Sequence, residues 1–424
     1  MLVKQIRSCL TALVVAAILA LPAHGQAAPA PESVFPGKVR LVLPRVIYAV
    51  ANVETNIYFD NVVLAPNSAD YVFDVKCEKG SILADRWTYK PAADEVGSFP
   101  LTLEVRDAAN AVIARSQSML RVAPATAGAG VPTTLLVVGD SLTEASIYTQ
   151  HLLELAASAN GPALQLIGSR GPDNSPAHGP NRHEGYSGWS AQAFVTFNGP
   201  LARTGQFKGR ETGSPFVYME GDKLRLDFAK YCAQFNQGKT PDFVTFALGT
   251  NDIFYGTDEN IDKLIDKILG YFDNLVSMVH DFDRSTKIGV LLVIPPSTSQ
   301  DGFQHYRGPQ RQTRWQYRRD QHRLIEHMIE RYGSREQDNI FLIPTYMDLD
   351  AAHNFVTRPS PWNAENPDES ARVIDGIHPA AAGYRQMGDM IYCWMKASLA
   401  EKSEQVRSAL HSDVGRLALR TKNR

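Results

Sequence analysis

Two kinds of hydrophobic pattern divide the chain. From residue 39 to 122, short alternating or β-branched runs such as "VRLVLP" and "FPLTLEVRD" are separated by turn residues. This spacing predicts an antiparallel sandwich of immunoglobulin-like size, which we place at residues 35–124. The following segment, residues 123–132 ("APATAGAGVP"), has the small-residue and proline-rich composition of a linker.

Beyond the linker, continuous apolar runs alternate with amphipathic helical patterns. The runs are "TTLLVVG", "ALQLIGS", "DFVTFALG", "KIGVLLVIP" and "NIFLIPT", and they suit strands that are buried on both faces of a parallel sheet. Helices are predicted at residues 143–158, 222–235, 259–282 and 314–332, with a last helix beginning at Pro379. We therefore predict a three-layer α/β domain over residues 132–399, followed by a charged tail at 400–424.

Composition and the N-terminus restrict the setting in which the protein acts. The formal net charge is −2 and 21% of residues are charged, which argues against a nucleic-acid partner. Lys4 and Arg7 precede an apolar run at residues 10–21, and small residues follow Pro22. Residues 1–27 are interpreted as a secretory signal peptide. We expect export to the periplasm or the extracellular space, without stable membrane insertion after cleavage; a retained anchor is the alternative.

Cysteine usage adds one open point. Export would leave Cys77, Cys232 and Cys393 in an oxidising compartment, and their odd number implies at least one free thiol. Because Cys77 falls in the predicted β domain, Cys232 with Cys393 is the one pairing that we consider. The sequence shows no ligand cluster with metal-site spacing, and we expect neither a metal nor a cofactor.

The stretch "LLVVGDSLTE" raises the first chemical hypothesis. Ser141 directly follows a predicted buried strand and precedes a predicted helix. A hydroxyl in this position lies at the carboxyl edge of the sheet, where backbone N–H groups can stabilise an oxyanion. The alternative is that Ser141 or Thr143 only caps the helix.

A nucleophilic serine requires a base and an orienting acid. "DGIHP", residues 375–379, places Asp375 three residues before His378. In a tight turn, the carboxylate can accept a hydrogen bond from one ring nitrogen while the other faces the serine. A lone histidine is more often structural, but the aspartate before His378 and the proline after it distinguish this one.

Two further segments supply possible oxyanion donors. "FALGTNDIF" ends a predicted strand and carries Asn251, and "HEGYSGWSA" carries Gly188 in a loop. Taken alone, the first segment is a turn and the second a flexible loop.

Four motifs occur in a fixed order along the chain: Gly-Asp-Ser-Leu, the loop glycine, Gly-Thr-Asn-Asp and Asp-x-x-His. With this order, the chain resembles the SGNH (GDSL) hydrolase family from residue 133 to about 399. The resemblance implies a flavodoxin-like αβα fold with Ser141 as nucleophile, His378 as general base and Asp375 as its partner. It also implies an oxyanion hole built from Ser141, Gly188 and Asn251. Asp140 and Asp252 are interpreted as loop-holding residues.

The layout is similar to exported carbohydrate esterases, which favours a serine esterase that removes short acyl groups, acetyl above all, from an acylated polysaccharide or oligosaccharide. The alternatives are a glycan O-acetyltransferase, a non-catalytic glycan-binding protein, and a lipase or arylesterase. Aromatic residues of the long loops could stack on sugar faces or simply pack: Tyr186, Trp189, Phe303, Tyr306, Trp315 and Tyr317. An arginine-rich stretch (Arg307, Arg311, Arg314, Arg318, Arg319) could bind an acidic glycan, or form a solvated helix face.

Overall fold

The five apolar runs form the centre of a six-stranded parallel sheet. A computed structural model describes residues 39–172, 178–199, 212–307 and 312–422, with side chains described except at 304–307 and 402–422. The predicted signal peptide lies outside the described residues. The strands of this sheet are β10 (Pro132–Gly139), β11 (Ala163–Ile167), β12 (Glu184–Gly185), β15 (Phe243–Ala247), β16 (Lys287–Leu291) and β17 (Ile340–Ile343). Strands β1 to β9 precede them in the N-terminal region and are described below. Between β12 and β15, the strands β13 (Val217–Glu220) and β14 (Lys223–Leu226) form a separate hairpin.

The sheet has the order β11-β10-β15-β16-β17, and β12 pairs with the end of β10 on the β11 side. All of these pairs are parallel. Consecutive residues of β10, β15, β16 and β17 are buried, so both faces of the sheet are covered. The chain reverses its direction of sheet growth between β10 and β15, and ligands of open α/β sheets bind at such a point.

Helices cover the sheet and connect its strands. They are α2 (Ser141–Glu144), α3 (Ile147–Ala156), α4 (Ala191–Thr196), α5 (Phe228–Phe235), α6 (Ile261–Phe282), α7 (Gln300–Arg307), α8 (Arg314–Tyr332), α9 (Thr345–Asp348) and α10 (Ala381–Lys422). Helix α3 packs on α10, whereas α4, α5 and α8 pack on α6. A second hairpin, β18 (Thr357–Pro361) with β19 (Glu369–Val373), precedes α10. The predicted α/β fold is confirmed.

The N-terminal region consists of small, mostly antiparallel sheets, as predicted. Its elements are β1 (Arg40–Leu41), β2 (Val46–Val50), β3 (Thr55–Tyr58), α1 (Phe59–Val62), β4 (Val63–Leu64), β5 (Val72–Lys76), β6 (Ser81–Ile82), β7 (Arg86–Tyr89), β8 (Gly97–Arg106) and β9 (Val112–Ala123), with a 3-10 turn at Ser68–Asp70 and another at Glu336–Asp338 later in the chain. The sheets have the orders β1-β4, β2-β9-β8-β5 and β3-β7-β6. Strand β2 runs parallel to β9, while the other pairs are antiparallel.

Three predicted helices differ from the structure in extent. The helix predicted at 143–158 is divided at Ser146, which has a left-handed φ of 60°. Within the helix predicted at 222–235, residues 223–226 instead pair with residues 217–220 as a hairpin. Helix α5 begins only after Asp227, whose side chain caps its N-terminus. The last helix begins at Ala381 rather than Pro379, because Pro379 forms a β-bridge with Phe355.

The N-terminal strands contact the α/β region through buried polar groups. The Arg318 guanidinium donates to the backbone oxygens of Asp60, Asn61 and Val63 in the first region. The Tyr346 hydroxyl donates to the Val42 carbonyl at 2.7 Å. The described residues from 39 onward belong to a single compact unit, and the boundary at the 123–132 linker stays a prediction. Among the described helices, none has the length and apolarity that crossing a membrane requires.

Candidate active site

Ser141 lies where β10 ends and α2 begins. A side chain at Gly139 would collide with the Thr143 hydroxyl, so this turn requires glycine. The Asp140 carboxylate caps α2 by accepting from the Leu142 N–H at 2.9 Å. The N-cap of α2 is therefore Asp140 and not Ser141. The Ser141 hydroxyl remains available to other groups at the edge of the sheet.

The predicted base and acid meet this serine. His378 Nε2 lies 2.9 Å from Ser141 Oγ, and His378 Nδ1 lies 2.9 Å from Asp375 Oδ2. The side chains of His378 and Asp375 are 23% and 25% exposed, so a substrate can reach the imidazole. The three groups form one continuous line of hydrogen-bonding contacts.

The turn between Asp375 and His378 fixes this geometry locally. The second carboxylate oxygen of Asp375 accepts from the backbone N–H groups of Ile377 and His378, each at 2.9 Å. Burial acts to raise the pKa of Asp375, but the hydrogen bonds from the His378 ring and from these two N–H groups outweigh it and hold the pKa below its usual value. Asp375 is therefore an ionised, preoriented acceptor for the ring.

Asn251 lies at the end of the neighbouring strand. Its side-chain nitrogen donates to Asp140 Oδ2 at 3.1 Å and to the Trp189 carbonyl at 3.0 Å. These contacts use both amide hydrogens, so donation to a substrate oxygen would replace or share one of them. Burial raises the pKa of Asp140 to about 7, while the Leu142 N–H and the nearby His378 act in the opposite direction. The structure thus brings Asn251 to the same rim as Ser141.

The Gly188 loop is attached to the same rim by its first residues. Gly185 in β12 is paired with Gly139, and the Tyr186 N–H donates to the Gly139 carbonyl at 3.0 Å. Gly188 has φ +75° with open space where a Cβ would lie, so its backbone is accessible. Asp252 ties the loop to the Asn251 turn by accepting from the N–H groups of Ala191 and Gly249. Burial raises the pKa of Asp252 to about 7.

Glu184 is a buried residue of this site that our sequence reasoning missed. Its carboxyl accepts from Ser169 N–H (2.6 Å), Ser169 Oγ (2.7 Å), Tyr231 Oη (2.8 Å) and Tyr186 Oη (2.9 Å). Burial raises its pKa against these hydrogen bonds. A glutamate flanked by histidine, glycine and tyrosine in a strand-forming segment is the signal that could have drawn attention to it. Glu184 fixes the base of the Gly188 loop.

Removing this carboxyl should destabilise the protein strongly. We expect Glu184→Ala to lower the free energy of unfolding by roughly 3–5 kcal/mol, because four donors, two of them hydroxyls of buried tyrosines, lose their acceptor. Ser169→Ala, which removes one of the donors, should cost about 1 kcal/mol. Urea unfolding curves of both variants measure the difference. Equal losses for the two variants would contradict the central role of Glu184.

The structure corrects the predicted sugar contacts of Tyr186, Phe303 and Tyr317, because these rings are buried. Tyr186 and Trp189 are 0% and 2% exposed and stack on each other, with ring centroids 4.3 Å apart. Phe303 and Tyr317 are equally buried. Tyr186, Phe303 and Tyr317 therefore pack in the core, whereas Trp189, although almost fully buried, also lines the groove that adjoins Gly188. Trp315 is half-buried, and the side chain of Tyr306 lies outside the described residues.

The arginine-rich stretch does not form an open cationic rim where it is described. Arg318 is buried on backbone carbonyls, and burial lowers its pKa to about 10. Arg319 pairs with Asp258 at 3.0 Å, and Arg314 donates to the Ser297 carbonyl at 2.7 Å. Arg307 and Arg311 lie outside the described side chains.

The described part of the chain contains neither a disulfide nor a cluster of metal-ligating side chains. Cys77, Cys232 and Cys393 are all free thiols, so the possible bridge between Cys232 and Cys393 does not form. Both of these thiols are buried, and burial raises their pKa. No group of three metal-ligating acidic, histidine or cysteine side chains occurs within the described residues.

Comparison with known families identifies the α/β region. The family model described as "GDSL-like Lipase/Acylhydrolase" matches residues 135–391, more than half of the chain. The chain belongs to this family. It is therefore an SGNH-type ester hydrolase, and the matched residues include Ser141, Asn251, Asp375 and His378. No curated protein matches the sequence significantly.

Several solved structures resemble this GDSL hydrolase at low identity. An acetyl esterase mutant with acetate ion is 17% identical, with 63% of this chain and 99% of that chain covered and a TM-score of 0.35. A carbohydrate acetylesterase family member from Sinorhizobium meliloti is 14% identical, with the same coverage and TM-score. The M. smegmatis aryl esterase is 16% identical, with coverages of 65% and 99% and a TM-score of 0.32. At such low sequence identities and TM-scores, the substrates of these proteins give no evidence about the substrate of this GDSL hydrolase.

Asn251 offers a test of the oxyanion side of the site. We expect Asn251→Ala to lower kcat for ester hydrolysis by about 10²–10³-fold with a small change in KM, because a donor to the developing oxyanion is lost. Steady-state kinetics on an aryl acetate measure both values, and thermal unfolding checks that the variant is folded. A kcat within about twofold of the parent enzyme would remove Asn251 from the oxyanion hole.

Proposed function

We propose that this hydrolase is an exported esterase that removes short acyl groups, acetyl above all, from carbohydrates. Ser141 serves as nucleophile, His378 as general base and then general acid, and Asp375 as the residue that orients and stabilises the imidazole. The observation that carries the proposal is the unbroken line of contacts from Asp375 through His378 to Ser141, both at 2.9 Å. Membership of an acylhydrolase family supports the reaction class.

The first half of the reaction forms an acyl-enzyme. Ser141 Oγ attacks the ester carbonyl carbon as its proton passes to His378 Nε2. The carbonyl oxygen becomes an oxyanion, which accepts hydrogen bonds from the backbone N–H of Ser141, the backbone N–H of Gly188 and the Asn251 amide. Each such donor typically lowers the barrier by about 3 kcal/mol. When the bond to the leaving oxygen breaks, the His378 imidazolium gives its proton to that oxygen, which leaves as a sugar hydroxyl.

The second half releases the acid. His378 Nε2 removes a proton from water, and the water oxygen attacks the acyl carbon. Collapse of the second tetrahedral intermediate breaks the bond to Ser141 Oγ, which regains its proton from His378. Asp375 remains ionised throughout, which is consistent with its lowered pKa, and favours the imidazolium that forms twice in each cycle.

A substrate panel tests this function. Purified protein is incubated with acetylated oligosaccharides, a short-chain aryl ester and a long-chain aryl ester, with free acid and transferred acyl groups measured separately. We expect free acetate from the glycans and little cleavage of the long-chain ester. Acetyl groups transferred to a glycan instead of water would indicate an acetyltransferase, and preference for the long chain would indicate a lipase. Glycan binding without cleavage of any ester would leave a binding protein.

Export is the remaining part of the proposal. It is supported by the charged and apolar pattern of residues 1–27. Expression of the full chain in a bacterium, followed by fractionation and N-terminal sequencing of the mature protein, tests it. Activity retained in the cytoplasm with an intact N-terminus would contradict export.

A further inference from the structure

A large groove extends from the oxyanion side of the active site. Its volume is about 970 Å³, and its lining begins at Gly188 and Asn251 and continues between α4 and α6. Cavities of about 300–1,000 Å³ are typical of sites for ligands of drug size. A two-carbon acetyl group fills only a small part of such a space. The groove therefore has room for the part of the substrate that carries the ester.

One wall of the groove carries an exposed aromatic ring on a fixed backbone. Tyr255 lines the groove and is 72% exposed. Its loop is held on both sides, because the Gln312 amide donates to the carbonyls of Ile253 (3.1 Å) and Gly256 (3.0 Å). The Tyr255 carbonyl itself accepts from the Asn260 amide at 3.2 Å. Because the backbone of this loop is already fixed, the loop itself need not be ordered when a ligand binds to the ring.

A second part of the groove lining is one face of α6. Leu264, Lys267, Ile268 and Tyr271 line the groove, and their spacing of three and four residues places them on the same side of the helix. Lys267 is exposed and makes no ion pair with another described side chain. This wall therefore combines a cation, a phenol and aliphatic side chains rather than a continuous apolar surface.

We propose that this groove binds the sugar chain of an acylated oligosaccharide, with Tyr255 as a platform for the face of a sugar ring. The inference rests on the proposed esterase function, since it assigns the groove to the alcohol part of the same substrate. Sugar rings present an apolar face together with hydroxyl groups at their edges. The apolar face of a sugar ring can stack on the aromatic ring of Tyr255. The sugar hydroxyl groups can form hydrogen bonds with the Lys267 ammonium and the Tyr271 hydroxyl.

The mixed lining argues against a long acyl chain in the same place. An alkyl chain gains free energy by removing apolar surface from water. Here the lining includes the polar side chains Ser190, Gln192 and Lys267, and an alkyl chain can form no hydrogen bond with them. The polar groups that count against an alkyl chain are those that a sugar can use.

The test compares three acetate esters that differ in their alcohol: an aryl acetate, an acetylated monosaccharide and an acetylated oligosaccharide of the same sugar. We expect Tyr255→Ala to lower kcat/KM for the oligosaccharide about tenfold, mainly through KM, as expected for the loss of one ring contact. The monosaccharide and the aryl acetate should change less than about twofold. Tyr255→Phe, which keeps the ring, should retain most of the oligosaccharide activity.

A matched control is Trp362→Ala. Trp362 is 56% exposed on the β18–β19 hairpin and is not part of the groove lining, so its removal should leave the oligosaccharide value unchanged. The inference is overturned if Tyr255→Ala has no effect on the oligosaccharide, lowers all three substrates equally, or matches Trp362→Ala. Failure of the parent enzyme to cleave any of the three esters would instead refute the proposed function.

Discussion

Replacing Ser141 with alanine is expected to lower kcat for ester hydrolysis by a factor on the order of 10⁴ or more, while the protein stays folded. Ser141 Oγ is the atom that His378 Nε2 contacts at 2.9 Å, and without it no acyl-enzyme can form. A residual rate above that of water is expected, because the oxyanion donors and the bound substrate remain. The measurement is release of the alcohol from an aryl acetate at saturating concentration, with thermal unfolding in parallel.

Ser98→Ala is the matched control for this loss. Ser98 is exposed on β8 in the N-terminal region, so the same chemical change there should leave kcat within about twofold of the parent value. The assignment of the nucleophile fails if Ser141→Ala keeps most of its activity. It fails also if a covalent serine reagent labels the parent and the Ser141→Ala protein to the same extent.

The second large effect is expected for Asp375→Asn, with a loss in kcat of roughly 10³–10⁴-fold. The substitution keeps the size of the side chain, but an amide lacks the negative charge that stabilises the imidazolium. In the parent enzyme both carboxylate oxygens accept hydrogen bonds, one from the His378 ring and the other from two backbone N–H groups. An amide has only one oxygen that can accept, so one of these two sets of hydrogen bonds is lost. Kinetics on the aryl acetate measure the loss, and an unchanged unfolding midpoint shows that the turn survives.

The chain provides an internal control for this prediction. Asp350 and His353 repeat the Asp-x-x-His spacing: His353 Nδ1 lies 3.0 Å from Asp350 Oδ2, and Asp350 also accepts from the His353 backbone N–H. The His353 side chain is 76% exposed, and the histidine in contact with the Ser141 hydroxyl is His378. Asp350→Asn should therefore keep kcat within about twofold. Comparable losses in both variants would mean that the effect is not specific to the triad.

Sequence patterns predicted the sheet well because burial leaves a local mark. The five apolar runs all became strands of the parallel sheet, and the helix predicted at 314–332 matches α8. The pattern failed where tertiary contacts decided the backbone. Ser146 adopts a left-handed conformation with its hydroxyl on His183 Nε2 at 2.8 Å, which divides a helix that periodicity joins. The pattern also predicts a helix over the residues of β14, whereas in the structure all four of them pair with β13.

The aromatic residues show the same limit at the site. "HEGYSGWSA" contains rings in a glycine-rich loop, which suggests exposure. In the structure, Tyr186 and Trp189 are buried against each other and against Phe194. Tyr255 is the exposed ring of the groove, although its sequence setting offers no distinguishing pattern. Solvent exposure of a loop side chain depends on which distant elements cover it, and that information is not local.

The sequence by itself determined the kinds of element and the order of the motifs, because strand and helix periodicity and the residues needed for turns are properties of neighbouring positions. It also identified Ser141, Asn251, Asp375 and His378 as candidates. Only the tertiary structure decided that the turn at Asp375 and His378 reaches the serine in space, that Cys232 and Cys393 remain unpaired, and that a groove adjoins the oxyanion side. Ser141 and His378 are separated by 237 positions; packing of the sheet and its loops, rather than any local preference, brings them together.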